Sequence, residues 1–243
     1  MGEAPQTADA LAALKRQAAE HAVDYHVESG MTVGLGTGST AIFAVWRLGE
    51  LLRTGQRKNI VAFATSRVTW DEAVRLSIPM MSEDLPKSLD VTIDGADEVD
   101  PQLNLIKGGG GALLREKIVA QSSAQEIIVV DETKLSPCLG THHVLPVEVL
   151  PFGWRAQAQF IAELGAKWVV RQSPDGHAYC TDQGNMILDC DFGPIANPAD
   201  IAEQLDRRAG IVEHGLFLGL ADLVVVSGSS GVRLIPSQKK VKP

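Results

Sequence analysis

Met31-Thr32-Val33-Gly34-Leu35-Gly36-Thr37-Gly38-Ser39-Thr40 is a short apolar run that breaks into glycines and hydroxyls, and Ala41 to Leu52 beyond it resumes a helical spacing of apolar residues. A strand, a tight turn and a helix in that order form the opening unit of a parallel-sheet fold. Upstream, Leu11, Leu14, Ala18, Ala22 and Tyr25 recur at helical spacing until Ser29-Gly30 stops the pattern, so a helix feeds the strand. Downstream the rhythm repeats. Ile60 to Ala64 leads into helical spacing over Trp70 to Leu76, while Val91 to Ile93 and Ile127 to Val130 each lead into a polar loop. Strands that are apolar throughout, without alternation, belong to a sheet covered on both faces.

After about Thr141 the character changes. Val144 to Leu150 is rich in β-formers and broken by Pro146 and Pro151, and Trp154 to Leu164 has helical spacing. Lys167 to Arg171, Ala178 to Thr181 and Met186 to Asp189 read as strands, with turns at Pro174-Asp175-Gly176 and Gln183-Gly184, before a helix over Pro198 to Arg208. Leu223 to Val226 is again wholly apolar and is expected to rejoin the first sheet. The expected fold is α/β: a Rossmann-like parallel-sheet domain over residues 1–140 and 216–243, with a smaller inserted α+β domain of ferredoxin-like type over 141–215. Ser237 to Pro243 is expected to be a frayed tail.

Of the 243 residues, 45% are hydrophobic and 21% charged, an ordinary globular balance that argues against disorder. Lys and Arg total 22 against 30 Asp and Glu, a net charge of -8, so no broad positive field draws in nucleic acid or anionic lipid. An anionic ligand must then be held by a local site. The apolar runs are too short to cross a bilayer, and the first residues lack the basic and apolar regions of a signal peptide. A cytoplasmic protein with no membrane and no nucleic-acid partner is expected. Cys138, Cys180 and Cys190 are odd in number and form no C-x-x-C pair, so buried or half-buried free thiols are expected rather than disulfides or a zinc knuckle.

Three segments carry candidate chemistry. In Gly34 to Thr40, backbone N–H groups and the Ser39 and Thr40 hydroxyls can ring a phosphate at the positive end of the following helix. Ser39 stands where a dinucleotide fingerprint needs its third glycine, and no Gly-Lys-Ser/Thr close follows, so a plain tight turn is the other reading. Asp94-Gly95-Ala96-Asp97-Glu98 follows the strand Asp90 to Ile93, where parallel sheets present ligand groups. Three acids in five residues need a cation or a lysine nearby, and a raised pKa on one would make it a proton donor. A capping or Asx-turn role for Asp94 with a solvated Asp97 is the alternative. A divalent metal is the least favoured option, because His142 and His143 are adjacent and would point to opposite faces of a strand; no metal is expected.

The third segment is Lys107-Gly108-Gly109-Gly110-Gly111, with a helix beyond it containing Arg115, Glu116 and Lys117. Four successive glycines are costly to order and imply φ values or close backbone contacts that other residues forbid. Lys107 can neutralise the acids or an oxyanion. Glu116, between two bases, reads from spacing alone as a surface salt-bridge partner. Lys134, beyond Ile127 to Val130, either reaches the sheet's ligand edge or is an ordinary exposed lysine.

Together with T-D-Q-G-N-M-I-L-D at 181–189 and G-I-V-E-H-G-L-F at 210–217, these runs in this order resemble the ribose-5-phosphate isomerase A family. The resemblance implies a cofactor-free aldose-ketose isomerase that interconverts D-ribose 5-phosphate and D-ribulose 5-phosphate without metal, through an enediolate. It also implies a homodimer or dimer of dimers with the smaller domain at the interface. By the same resemblance Thr37, Gly38, Ser39 and Thr40 line the ligand loop, Asp94, Gly95, Ala96 and Asp97 form a second wall, and Lys107, Gly108, Gly109 and Gly110 a third. Glu116 is then the base that moves the proton, and Lys134 contacts substrate. Arg16 stands where family members often have a lysine near the phosphate. Thr65-Ser66-Arg67 stands where relatives vary, and no contact is carried over there.

The residue types suit that chemistry, which needs one base to take the C2 proton and return it to C1, with donors for the enediolate oxygens. Lys107 would steady the negative oxygen, and Asp94 or Asp97 would pass the hydroxyl protons. The rivals are an amino-sugar phosphate deaminase or CoA transferase of the same fold group, and a sugar-phosphate sensor without catalysis.

Overall fold

Helix α1 spans Ala8–His26 and is opened by the Thr7 hydroxyl, which accepts from the Ala10 N–H. There follow β1 (Thr32–Leu35), α2 (Ala41–Arg53), β2 (Val61–Ala64), α3 (Arg67–Arg75), β3 (Val91–Asp94), β4 (Glu98–Val99), β5 (Leu105–Ile106) and α4 (Leu113–Gln121). The second half contains β6 (Glu126–Asp131), β7 (Leu145–Val149), α5 (Trp154–Glu163), β8 (Lys167–Val170), β9 (Met186–Asp191), α6 (Pro198–Asp206), β10 (Ile211–His214), β11 (Leu216–Phe217), β12 (Leu223–Gly228) and β13 (Gly231–Pro236). This computed structural model describes residues 7–82 and 88–238, so 239–243 of the expected frayed tail lie outside the described residues.

By contacts the chain divides into two units. The first holds the described residues up to Gly95, Ser122–Thr133 and those from Asp222 on; the second holds Ala96–Gln121 and Lys134–Ala221. Ala96–Gln121 thus groups with the second unit rather than with residues 1–95, because β4 and β5 pair with β11 in a three-stranded sheet of their own.

The first unit is built on a six-stranded sheet in the order β13-β12-β6-β3-β1-β2. Its neighbours are parallel except β13, which returns antiparallel to β12 through a two-residue turn at Ser229 and Ser230. Every residue of β6 and β12 is buried, as expected for strands covered on both faces. Leu223 to Val226 rejoins this sheet beside β6, as the sequence suggested. The strand order reverses between β1 and β3, since β2 lies on one side of β1 and β6 on the far side of β3. Doubly wound sheets take ligands at the carboxyl ends of the strands at such a switch point.

The second unit contains the succession β7-α5-β8-β9-α6-β10, with strands ordered β10-β7-β9-β8 and all neighbours antiparallel. This is the ferredoxin-like arrangement. Its core gathers Leu145, Val147, Val149, Ala158, Ile161, Leu188 and Leu205. The segment Ala178 to Thr181 is not a strand. It makes a single bridge, Gln172 to Ala178, because the Thr181 N–H closes a turn on the Asn185 carbonyl and its hydroxyl turns in to Glu148. The cysteines are free, Cys190 buried and Cys138 half-buried, but Cys180 in that same segment is exposed, contrary to expectation.

Candidate active site

In the first unit, the turn after β1 meets the last residue of β3. A Cβ on Gly36 would lie 2.1 Å from Asp94 Oδ1 and 2.5 Å from the Asp94 Cα, so glycine is required there by the approach of a neighbouring strand end, before any ligand is considered. Asp94 Oδ1 accepts from the N–H groups of Thr37 at 3.0 Å and Gly95 at 2.7 Å. The Thr37 hydroxyl lies 2.7 Å from that of Thr65, 2.8 Å from Ser66 and 3.2 Å from Thr69. Thr65 and Ser66, which the sequence left unassigned, therefore latch the turn, and Thr37 is their anchor. Gly38, with φ +114°, and Ser39 are exposed at the tip, and Thr40 precedes α2 without a side-chain cap bond.

The cation beside this turn is Lys15, whose Nζ lies 2.9 Å from Ser39 Oγ. Arg16 is exposed and pairs with Glu20 one helical turn on, at 2.6 Å. Residue 15 was legible, because it precedes the buried Ala18, Ala19 and Ala22 by three, four and seven residues and so shares their side of α1. A separate cavity of about 720 Å³, lined in part by Arg53, Arg57, Lys58 and Arg75, lies at the C-terminal ends of α2 and α3, at the opposite end of the strands. Its cations suit the negative ends of helices, and it is remote from the turn.

The run Asp94 to Glu98 does not stay together as a carboxylate cluster. Asp97 Oδ2 accepts from the Gly109 N–H at 2.7 Å in the second unit. Glu98, fully buried, accepts four backbone N–H groups, those of Gly140, Thr141, His142 and His143, at 2.9 to 3.3 Å. Backbone donors thus answer these charges. The Glu98 carboxylate also holds His142 and His143 in a bend rather than on the strand expected to begin near them. His143 Nε2 lies 3.3 Å from Lys134 Nζ, and burial, reinforced by that lysine's charge, lowers the pKa of His143. A neutral imidazole accepting from Lys134 fits both observations.

Glu116 is not on the surface. It is 4% exposed on the first turn of α4, and its Oε1 lies 3.6 Å from Nζ of Lys107, itself 1% exposed. Its two basic neighbours have partners of their own: Arg115 reaches Asp182 at 3.4 Å, and Lys117 reaches Glu213 Oε1 at 2.5 Å and the His214 carbonyl at 2.7 Å. Phe217 sits against both lysines, with Nζ of Lys107 5.5 Å and Nζ of Lys117 4.9 Å from its ring centroid. Gly108 has φ +101°, and a Cβ on Gly109 would lie 2.6 Å from Asp97 Oδ1, which accounts for two of the four glycines. Among the described residues, Asp206, Glu213 and His214 bring carboxylate and imidazole atoms within 4.8 Å of one another, but the Lys117 ammonium already stands beside Glu213 there.

The second unit therefore carries a buried carboxylate and a buried ammonium on a glycine loop and the helix it feeds. That pair can take up a proton and hold an oxyanion. Residues 61–231 match the family described as ribose 5-phosphate isomerase A (phosphoriboisomerase A). The chain belongs to this family. It is 54% identical over 221 residues to the ribose-5-phosphate isomerase A of Desulfatibacillum aliphaticivorans, covering 91% of this chain and 96% of the relative. Among solved structures it resembles a D-ribose-5-phosphate isomerase in complex with phospho-erythronic acid, at TM-score 0.90 and 38% identity, covering 93% of this chain and 99% of that one. It also resembles the ribose 5-phosphate isomerase of Plasmodium falciparum, at TM-score 0.91 and 37% identity, covering 94% and 100%.

Proposed function

We propose that this chain interconverts D-ribose 5-phosphate and D-ribulose 5-phosphate by proton transfer through an enediolate. The observation that carries the mechanism is Glu116, buried and 3.6 Å from the Lys107 ammonium, in a chain whose relatives carry the isomerase name along nearly their whole length. In the reaction, the glycine turn, Ser39, Thr40 and Lys15 bind the phosphate, and Asp94 or Asp97 passes the hydroxyl protons, both the one that opens the furanose and the one that leaves O2 and ends on O1. Glu116 takes the proton from C2 while Lys107 holds the charge on the enediolate oxygens, and Glu116 then returns the proton to C1. Gly95, Ala96 and Gly108 to Gly110 line the sugar, and Lys134, fixed by His143, contacts it. Phospho-erythronic acid, which accompanies one related structure, carries a carboxylate at one end of a phosphorylated sugar chain, and its two oxygens match the paired oxygens of an enediolate. The deaminase and sensor alternatives have no observation in their favour.

The test is the conversion of ribose 5-phosphate to ribulose 5-phosphate by the purified protein in excess EDTA. Turnover at the rate seen without chelator is expected; no turnover in either condition defeats the proposal, and loss in chelator alone defeats the metal-free step.

No helix among the described residues is long and apolar enough to cross a membrane, and we place the enzyme in the cytoplasm as a homodimer or dimer of dimers. The second unit supports such a contact through Phe152, 92% exposed, and Val169, 63% exposed on the edge strand β8. A Phe152→Asp protein eluting at the wild-type oligomeric size would remove this face from the interface.

A further inference from the structure

The loop Lys107 to Gly111 is gripped from its carbonyl side by residues that the reaction above does not use. Arg171, immediately after β8, donates from Nη1 to the Gly108 carbonyl at 2.7 Å and to the Gly109 carbonyl at 3.2 Å. The rest of its guanidinium is seated on Asp189 of β9, with Nε 3.0 Å from Oδ2 and Nη2 2.5 Å from Oδ1. Both side chains are largely covered, 15% and 17% exposed. The backbone of Arg171 is tied as well, its N–H to the Ile187 carbonyl and its own carbonyl to the Tyr179 N–H. The Tyr179 hydroxyl in turn lies 3.4 Å from the Gly110 carbonyl.

In a trans peptide the C=O and the following N–H point in opposite directions. Holding the carbonyls of Gly108 and Gly109 therefore aims the N–H groups of Gly109 and Gly110 away from Arg171. For Gly109 the result is visible, because its N–H meets Asp97 Oδ2 at 2.7 Å. Glycines impose little orientation of their own; the Gly111 N–H closes a turn on the Gly108 carbonyl at 3.0 Å from within the loop, and Arg171 adds the hold from outside it. A planar guanidinium can hold two carbonyls and a carboxylate together, whereas a single ammonium cannot satisfy the same fork.

We propose that Arg171, seated on Asp189, is a positioning residue for the isomerisation: by locking the Gly108–Gly109 and Gly109–Gly110 peptide planes it keeps the Gly109 N–H on Asp97 and presents the Gly110 N–H to the developing oxyanion already oriented. The proposal rests on the isomerase reading above. Arg171 acts through the loop, and its loss is a loss of preorganisation, which lowers turnover more than ground-state binding.

The test compares Arg171→Ala and Arg171→Lys with the wild type in the full chain, measuring kcat, KM and melting temperature with ribose 5-phosphate, with and without added guanidinium or ammonium chloride. Arg171→Ala is expected to lose between about tenfold and a hundredfold in kcat with KM changed less than about threefold, and guanidinium but not ammonium restores part of the loss. Arg171→Lys stays clearly below wild type. A kcat for Arg171→Ala within twofold of wild type overturns the proposal, as does equal rescue by ammonium or an effect confined to KM. Should Arg171→Ala fail to fold, Tyr179→Phe removes only the Gly110 contact: a few-fold fall in kcat at unchanged melting temperature supports the proposal, and wild-type kcat counts against it. A wild type inactive on ribose 5-phosphate takes down the isomerase reading with it, whereas an active wild type beside an unaffected Arg171→Ala takes down this inference alone.

Discussion

The two glycine segments look alike in sequence and differ in what they hold. The turn after β1 presents neutral hydroxyls and an exposed tip, with one half-buried cation, Lys15, beside it. Asp94 at the end of β3 accepts the Thr37 and Gly95 N–H groups through Oδ1. The loop after β5 carries a lysine and leads to a glutamate, each less than 5% exposed, 3.6 Å apart. Burying two charges is expensive even when they pair, and such pairs are often retained for function rather than stability. On the proposed reaction, the first segment binds the phosphate and the second moves the carbon-bound proton.

If that division is right, changes at the second segment lower kcat and changes at the first raise KM or weaken the fold. The largest effect is expected from Glu116→Gln, with kcat falling about 10²-fold or more at little-changed KM in steady-state assays. Lys107→Met is expected to cost about 10²-fold in kcat, and to lower stability by about 3 kcal/mol in urea unfolding because it removes the ammonium 3.6 Å from the buried Glu116 carboxylate. Gly36→Ala tests the strand approach in the first unit: its Cβ meets Asp94 backbone and side chain, and a loss of about 1–3 kcal/mol should appear as a melting temperature lower by roughly 5 °C. Lys15→Ala should raise KM about tenfold with kcat nearly intact, while Arg16→Ala leaves both unchanged. A kcat effect at Lys15 as large as that at Glu116 would erase the distinction.

The smallest effect concerns pH. Burial, then the charge of Lys117, lowers the pKa of His214 from 6.5 to about 4, so the unfolded chain binds a proton there that the folded chain refuses. Its contribution to stability is fully present above pH 6.5 and is lost as pH falls towards 4. Melting temperature should therefore drop across that window, and drop by a few degrees less in His214→Asn. Parallel curves would remove His214 as the cause.

The parallel sheet was legible because β6 and β12 carry wholly apolar runs and β1 and β3 are apolar apart from a threonine and, in β3, the terminal Asp94, and a strand covered on both faces does not alternate. Strand β13 was missed although Gly228-Ser229-Ser230-Gly231 marks its turn, since at this edge Val232 and Ile235 are only half-buried and Leu234 is exposed. The two-residue strands β4, β5 and β11 are too short to leave a periodic signal. Asp94, Lys107 and Glu116 could be named from motifs, but spacing pointed Glu116 towards solvent. Only the separate engagement of Arg115 with Asp182 and Lys117 with Glu213, from distant strands and turns, frees it from its neighbours in sequence. Glu98 was noticed only as one of three neighbouring acids, and its role, like that of Arg171, left no local trace because what they hold is backbone.

Whether Glu116 moves the proton is tested most directly by running ribose 5-phosphate in D2O and following C1 of the ribulose 5-phosphate formed by NMR. The wild type is expected to place solvent deuterium at C1, and Glu116→Gln to place almost none over the same time. Because the carried proton exchanges with solvent over repeated turnovers, product still free of deuterium after many rounds of interconversion by the wild type would contradict a proton held on an exchangeable base, and incorporation by Glu116→Gln at the wild-type rate would put the base at another residue.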